Sequence, residues 1–586
     1  MRSLADQAQK RPLLLGLALI ALGNLPLFTT WMSVRWDTRD EMWTYFRWMG
    51  SALRQGYFPD FFPNIVAGYP LGANLQAGVY NVVYLAFAAM FADSLWSINL
   101  LYVLTQGAIF CLTWAIAGTC GLRPISRVYF GLAMTISGFV VGHASHLSYL
   151  ATACGLLSGL LGLRWLMLER RAGAFWAISL GTYHMLTAGY PANILFGVQC
   201  LTVYWVYLLV TCPSVRRTWW LAPMAGLSGL AISAPAILHL LHQLGNSDRG
   251  EGVSIDSISA GSMPAYSLLN YLLPWWHMRY SEPTMERFHL LWLSVPLTGY
   301  ALWLAIARGH ERRLVLSLFF LAIVLIVLAL GANSPLPIRI WLAEHSFLYR
   351  TGRFPSGEHR GIALFLLAWI SAIGLNRYIA DRPQHVRMIV RVLVLEFVLG
   401  LYALAGTRWG TVPREQQGTL PLIQASFGEL SQSLIDAPRD CTPVVNASAW
   451  AWPAIRFQLE RLAPAGFSVH GYTNLKDRVW LKEQESASSI LCGPSRLWRA
   501  TDMLAQPYTL QRYTPGHIRF VVTGPPGVEP LALIWADYTD GLWRLKINGE
   551  IRPFETAPAR LRGFQARPGD QVEMTYLGPL SGLWRR

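Results

Sequence analysis

Eleven apolar runs, each about long enough to cross a bilayer, constrain this chain more than any single motif does. They fall at 13–34, 95–120, 128–146, 149–168, 173–189, 193–212, 219–238, 288–306, 314–331, 359–376 and 388–405. Lipid offers no water to such a run, so each is expected to be a helix that satisfies its own backbone amides. Composition points the same way: 53% of the residues are hydrophobic and only 14% charged, and the mean hydropathy is +0.33. The expected fold is a multi-pass α-helical membrane protein with about 11 transmembrane helices.

Basic residues set the orientation. Seventeen Lys and Arg, from Arg2, Lys10 and Arg11 through to Arg377, Arg382, Arg387 and Arg391, collect in alternate short loops that hold only four acids, Asp6, Glu169, Glu311 and Asp381. Those loops therefore carry +13 of the formal charge of +15, and the positive-inside rule places them in the cytoplasm. The basic balance reflects topology, which argues against nucleic-acid binding. The N-terminus is expected to be cytoplasmic and the C-terminal domain extracytoplasmic, in a bacterial cytoplasmic (inner) membrane. The first run lacks a clear small-residue cleavage site and reads as a retained anchor. The apolar stretch 79–92 is short for a crossing and reads as re-entrant or interfacial.

Three regions follow from this reading. Residues 1–405 form the transmembrane domain, with a first external loop at 35–94 and a long external loop at 239–287. Residues 406–505 form an extracytoplasmic mixed α/β segment with a helix expected at Leu420–Leu434, and 506–586 an extracytoplasmic β-sandwich. The last region shows alternating strand-like runs at 517–523, 531–535, 542–547, 561–565 and 571–576, with the hairpin signal Asn548-Gly549. Cys441 and Cys492 are disulfide candidates in an oxidising compartment, where closing that loop contributes about 4 kcal/mol in the chain-entropy model. Five other cysteines lie in or beside spans and read as small apolar packing residues. No Cys/His metal-ligand spacing occurs.

The residues with most chemistry lie in the external loops. Directly after the first run comes Trp36-Asp37-Thr38-Arg39-Asp40-Glu41, then Tyr45, Trp48, Gly68-Tyr69-Pro70-Leu71, Gln76 and Tyr80. Further on are Gly142-His143 with His146, Gly189-Tyr190-Pro191, Asp248-Arg249, Pro274-Trp275-Trp276-His277 and the basic stretch from Tyr349 and Arg350 through Arg353-Phe-Pro355 to Arg360. The order of these landmarks, closed by Gly541-Leu542-Trp543 in the strand region, resembles the YfhO family of GT-C-fold membrane glycosyltransferases over most of the chain. Two places depart from that family's pattern: Gly357 stands where a second Arg is expected, and Tyr190 and Ala192 stand where His and Gln flank the proline.

The resemblance implies a GT-C-like enzyme that takes a sugar from a polyprenyl-phosphate carrier and places it on an extracytoplasmic cell-envelope glycan or glycolipid, with Asp40 as the family's key acid. The expected transfer is hexosyl or N-acetylhexosaminyl, and inverting. Such a displacement needs a base beside the incoming hydroxyl, worth about 10²–10⁴ in rate, and positive charge beside the departing phosphate. Asp40 is the expected base. Asp37 is a second candidate that orients the acceptor, binds a divalent cation (Mg or Mn) or caps a helix. Arginine forks bind phosphate oxygens bidentately, which nominates Arg353 first, then Arg350, Arg249 and Arg360, with His143 alongside. Tyr45, Tyr69, Gln76, Trp276 and His277 are candidates for sugar or acceptor contact, and the β-rich tail for positioning the acceptor. Membrane lipids are the remaining expected partners, and headgroup contact or aromatic-belt anchoring is the bland alternative for the arginines and tryptophans.

Two rival classes use the same residues. A transporter or flippase of lipid-linked sugars predicts ionisable groups at mid-depth in several spans, and only Glu396 stands out, with no partner evident in sequence. A non-catalytic envelope scaffold would keep the architecture and account for the motif departures.

Overall fold

The computed structural model describes residues 11–28, 32–34, 38, 42–54, 56, 58–61, 70–91, 96–244, 252–273, 288–309, 311–411, 495–502, 504–514, 516–525, 529–538, 541–555, 557 and 561–578. The chain divides into two compact units. The first comprises Met1–Arg39, Leu95–Ser233 and Gly252–Gly418, the second Asp40–Ser94, Ala234–Glu251 and Thr419–Arg586.

The first unit is helical. Among the described residues, six helices are long and apolar enough to cross a membrane: Trp96–Thr119, Pro124–Ser145, Leu147–Met167, Pro191–Thr211, Arg312–Asn333 and Pro355–Asp381. A seventh candidate by length and composition joins Leu221–Ile232 of this unit to Ala234–Leu244 of the second. Proline opens several of these helices, where its missing N–H costs nothing and its fixed φ suits the first turn. Other expected spans are shorter. The run at 13–34 yields a helix only over Pro12–Gly23, then a 3₁₀ turn and strand β1 (Met32–Val34), which pairs with β2 (Trp409–Thr411). The run at 288–306 yields Ser294–Ala307, and the stretch at 79–92, in the second unit, the ten-residue helix Val82–Phe91.

Two local features shape the first unit. Helices Leu147–Met167 and Arg171–Ala188 approach so closely that a Cβ on Gly155 would lie 2.6 Å from the Gly181 carbonyl oxygen, the small-residue contact expected of packed membrane helices. The expected span 128–146 is interrupted at Ile136–Ser137: Ser137 caps a short helix Gly138–Gly142, and a 3₁₀ turn over His143–Ser145 follows. Glu396 also finds its partner. Its carboxylate accepts the backbone N–H groups of Trp292 and Leu293, where helix Ser294–Ala307 begins and the amides lack intrahelical partners.

In the second unit, helices Trp43–Arg54 and Val82–Phe91 pack through Phe46, Tyr84 and Phe87. Its larger part is an antiparallel β-sandwich of β3 (Leu497–Arg499), β4 (Tyr508–Thr514), β5 (His517–Val522), β6 (Leu531–Tyr538), β7 (Trp543–Ile547), β8 (Glu550–Arg552), β9 (Leu561–Ala566) and β10 (Gln571–Tyr576). One sheet runs β4-β5-β10-β7-β8 and the other β3-β6-β9. Asn548 and Gly549, both at positive φ, make the turn between β7 and β8, as a two-residue hairpin requires. The sandwich core includes Phe520, Trp535, Phe564 and Met574, and with them Phe61, which precedes the 3₁₀ turns Leu71–Ala73 and Leu75–Ala77. Phe61 meets Trp543 edge-on at 5.2 Å and Tyr576 at 4.9 Å, so that loop and the strand region share one core. The helix expected at Leu420–Leu434 and both Cys441 and Cys492 lie outside the described residues.

Candidate functional site

In the first unit, the start of helix Pro355–Asp381 gathers an unusual density of buried charge. Glu358, in its first turn, accepts the Phe354 N–H at 3.3 Å and pairs with Arg339 Nη2 at 3.0 Å, both side chains being fully buried. Arg339 Nη2 also donates to the Gly352 carbonyl at 3.4 Å. Gly352 must lack a side chain, because a Cβ there would overlap Glu358 Oε1. The segment between Arg339 and Glu358, which includes Arg350 and Arg353, is thus tied down at both ends. Arg339 lies beside the adjoining rings of Phe196 and Tyr349, at 5.3 and 5.4 Å, and its Nε and Nη1 have no partner among the described residues.

Two residues further along the helix, the buried Arg360 donates from Nη2 to His143 Nε2 at 3.2 Å. Arginine can only donate, so this ring nitrogen is the acceptor and the His143 proton sits on Nδ1. The imidazole stacks on Tyr149 (4.1 Å, 7°), and Tyr149 on Tyr190 (4.3 Å, 16°), forming a ladder of three rings. Gly357 lies against this ladder: a Cβ would stand 3.0 Å from Tyr149 Cε1, and its carbonyl accepts Asn193 Nδ2 at 3.2 Å. A side chain at Gly357 therefore has to push the Tyr149 ring aside by a few tenths of an ångström. Thr38, within the acidic segment, accepts the N–H of Leu147 at 3.3 Å through its hydroxyl, at the start of the helix that carries Tyr149.

From this polar end an apolar groove of about 500 Å³ runs between helices Leu147–Met167, Pro191–Thr211, Arg312–Leu330 and Pro355–Asp381. Tyr149, Asn193 and Glu358 line one end; Leu157, Leu201, Leu318 and Phe365 line the middle; Arg164, Tyr204 and Cys212 line the other end. Tyr149 to Met167 alone spans about 27 Å at the rise of an α-helix. Arg164 is fixed at the far end by Thr119, through its hydroxyl at 3.1 Å and its carbonyl at 3.0 Å, and by the Tyr204 hydroxyl at 3.3 Å. The lining is thus apolar through the middle and polar at both ends.

The expected site residues fare differently. His143 and Arg360 are brought into direct contact. Arg353 places its guanidinium 4.7 Å from the ring of its neighbour Phe354, and Arg350 Nε donates to the Val253 carbonyl at 3.1 Å. In the second unit Tyr45 is buried on helix Trp43–Arg54, and Gln76 sits in a 3₁₀ turn with its N–H on Asn74 Oδ1. Asp37, Asp40, Tyr69, Arg249, Trp276 and His277 lie outside the described residues. Among the described residues no three His, Cys, Asp or Glu are grouped as metal ligands.

Sequence reasoning passed over Arg339, Asn193 and Tyr149 and gave Glu358 no role. An Arg flanked by isoleucines, Ile338-Arg339-Ile340, was the available signal, since a charge in so apolar a context is costly unless paired. The second unit also holds an unforeseen polar chain. His239, fully buried, meets the Tyr80 hydroxyl at Nδ1 (3.2 Å) and the Tyr576 hydroxyl at Nε2 (3.0 Å). Burial first, and then the Asp60 carboxylate, push the Tyr80 phenol far above its ordinary range, so it stays protonated.

No family model matches the chain, and no curated protein does. Among solved structures, the cryo-EM structure of the arabinofuranosyltransferase AftD from Mycobacteria aligns with 69% of this chain at 17% identity and a TM-score of 0.41. The alignment covers 27% of that protein, about a quarter of its length.

Proposed function

We propose that this chain is a GT-C-like membrane glycosyltransferase that transfers a sugar from a polyprenyl-phosphate carrier to an extracytoplasmic envelope glycan or glycolipid. The observation that carries the reading is the groove of about 500 Å³ whose one end is lined by Tyr149, Asn193 and Glu358, with buried Arg339 paired to Glu358, and with Arg360 bonded to the His143 that stacks on Tyr149, directly behind that lining. Its apolar length suits an isoprenoid tail, and guanidinium groups already fixed in place suit a phosphate whose charge grows as the sugar leaves. The alternation of basic loops supports eleven crossings and puts this end of the groove outside, in a bacterial inner membrane. Asp40 takes the proton from the acceptor hydroxyl as it attacks the anomeric carbon. The carbon–phosphate-oxygen bond breaks, and the carrier phosphate leaves as an anion held by Arg360 and Arg353.

The test is sugar transfer by the purified full-length protein in lipid nanodiscs, with a radiolabelled polyprenyl-phosphate sugar and envelope extract as acceptor. Asp40→Asn is expected to lower turnover by about 10²–10⁴-fold, the usual worth of a general base. Arg360→Gln is expected to lower it by about 10²-fold through lost charge stabilisation. Undiminished transfer by Asp40→Asn removes the assigned base. Movement of the labelled lipid across sealed vesicles with no covalent product would establish a transporter instead.

A further inference from the structure

The outward face of the five-stranded sheet carries a charge pattern that folding alone does not explain. Cross-strand register places Arg512 opposite Arg519, Arg519 opposite Glu573 and Glu573 opposite Lys546, while Arg544 lies one row away opposite Thr575. The alternate positions, Ile518, Phe520, Leu545 and Met574, point into the sandwich core, so these charged side chains share the other face. Like charges directly opposite one another destabilise a sheet. Even so, Arg512, Arg519, Arg544 and Lys546 form no ion pair with the described residues. The one carboxylate in the row, Glu573, is already held by His517 at 2.7 Å. Amides run between the cations: Arg519 Nη2 donates to Gln571 Oε1 (3.1 Å), and Gln571 Nε2 to Gln511 Oε1 (2.7 Å).

We infer that this sheet face is a binding surface for an acidic polysaccharide. Four cations against one engaged acid call for an anionic partner, and along the row Arg512 and Arg519 stand one strand spacing of about 4.8 Å apart and Lys546 two spacings beyond Arg519, so successive strands meet successive groups of an extended polymer. Interleaved amides are suited to sugar hydroxyls. A lipid-surface site would place several large apolar anchors beside its cations, whereas among the described residues of this face Ile551 on the edge strand, 62% exposed, is the one that could serve. This inference does not depend on the transfer reaction proposed above, because it concerns binding alone.

The experiment measures binding of polygalacturonate and of neutral dextran to the full-length protein in phosphatidylcholine nanodiscs. The expected result is retention of polygalacturonate at low salt, its loss near 0.5 M salt as screening takes over, and no retention of dextran. The triple variant R512Q/R519Q/K546Q is expected to bind about tenfold more weakly, and Glu573→Gln, which removes the central acid, about threefold more tightly. The opposite signs separate a specific surface from a folding defect, since a misfolded domain cannot gain affinity. Equal binding by wild type and triple variant overturns the inference. So does absence of polymer binding, and so does transfer of the charge-sensitive behaviour to phosphatidylglycerol vesicles or to self-association of the chain.

Discussion

Arginine occurs in two contrasting settings here, buried at the head of the groove in the first unit and solvent-facing on the outer sheet in the second. Arg339 and Arg360 are fully buried, Arg339 bonded to Glu358 and the Gly352 carbonyl and Arg360 to His143. Arg512 and Arg519 are exposed and stand opposite one another in register, a placement that water and salt screen cheaply. Burial therefore makes a guanidinium geometrically exacting, and exposure makes it interchangeable. The first setting suits a fixed chemical task and the second a repetitive ligand.

The largest effect expected from this contrast is at Glu358. Glu358→Ala leaves the buried Arg339 charge without its counter-ion, bonded only to the Gly352 carbonyl, and should cost about 3–5 kcal/mol, whereas the double change R339M/E358L should recover most of it. Thermal unfolding of the detergent-solubilised protein measures both. If Glu358→Ala unfolds at the wild-type temperature, the pair is not the anchor of the 339–358 segment. Gly357→Ala comes next, at about 1–3 kcal/mol, because its Cβ crowds Tyr149. Adding Tyr149→Ala should relieve the crowding, and strict additivity of the two changes would show that they do not touch.

The sheet face should respond far less. Arg512→Gln is expected to shift stability by less than about 0.5 kcal/mol, with a slight gain from removing the Arg519 repulsion. The Glu573 carboxyl is held below the ordinary range, chiefly by its hydrogen bond from His517. A carboxyl whose folded pKa is depressed stabilises the fold above its unfolded pKa and loses that contribution as pH falls through the folded value. The stability difference between wild type and Glu573→Gln should therefore be full at pH 7 and vanish in strong acid. A difference that grows on acidification would contradict the assignment.

Much of the architecture could be read from the chain. The apolar runs at 95–120, 149–168, 193–212, 314–331 and 359–376 each match an observed long helix, and the strand-like segments from 517 to 576 match β5, β6, β7, β9 and β10. The short strands β3 and β8 were not legible, because three residues hold too little periodicity to identify. The break at Ser137 was hidden because hydropathy reports polarity and is insensitive to a capping hydroxyl inside an apolar run. His143 and Arg360 are each candidates in the sequence, but they lie 217 residues apart and no local signal links the two.

What the sequence determined by itself is therefore local and additive: apolar length makes helices, alternation makes strands, Asn548-Gly549 makes a turn, and the basic loops suggest an orientation. Tertiary structure alone decided which charges are buried and with whom, how Phe61 joins a core built mostly from strands more than 430 residues later, and why Gly357 has no side chain. The physical reason is that the cost of burying a charge or adding a Cβ depends on what lies within a few ångströms, and those neighbours come from distant parts of the chain.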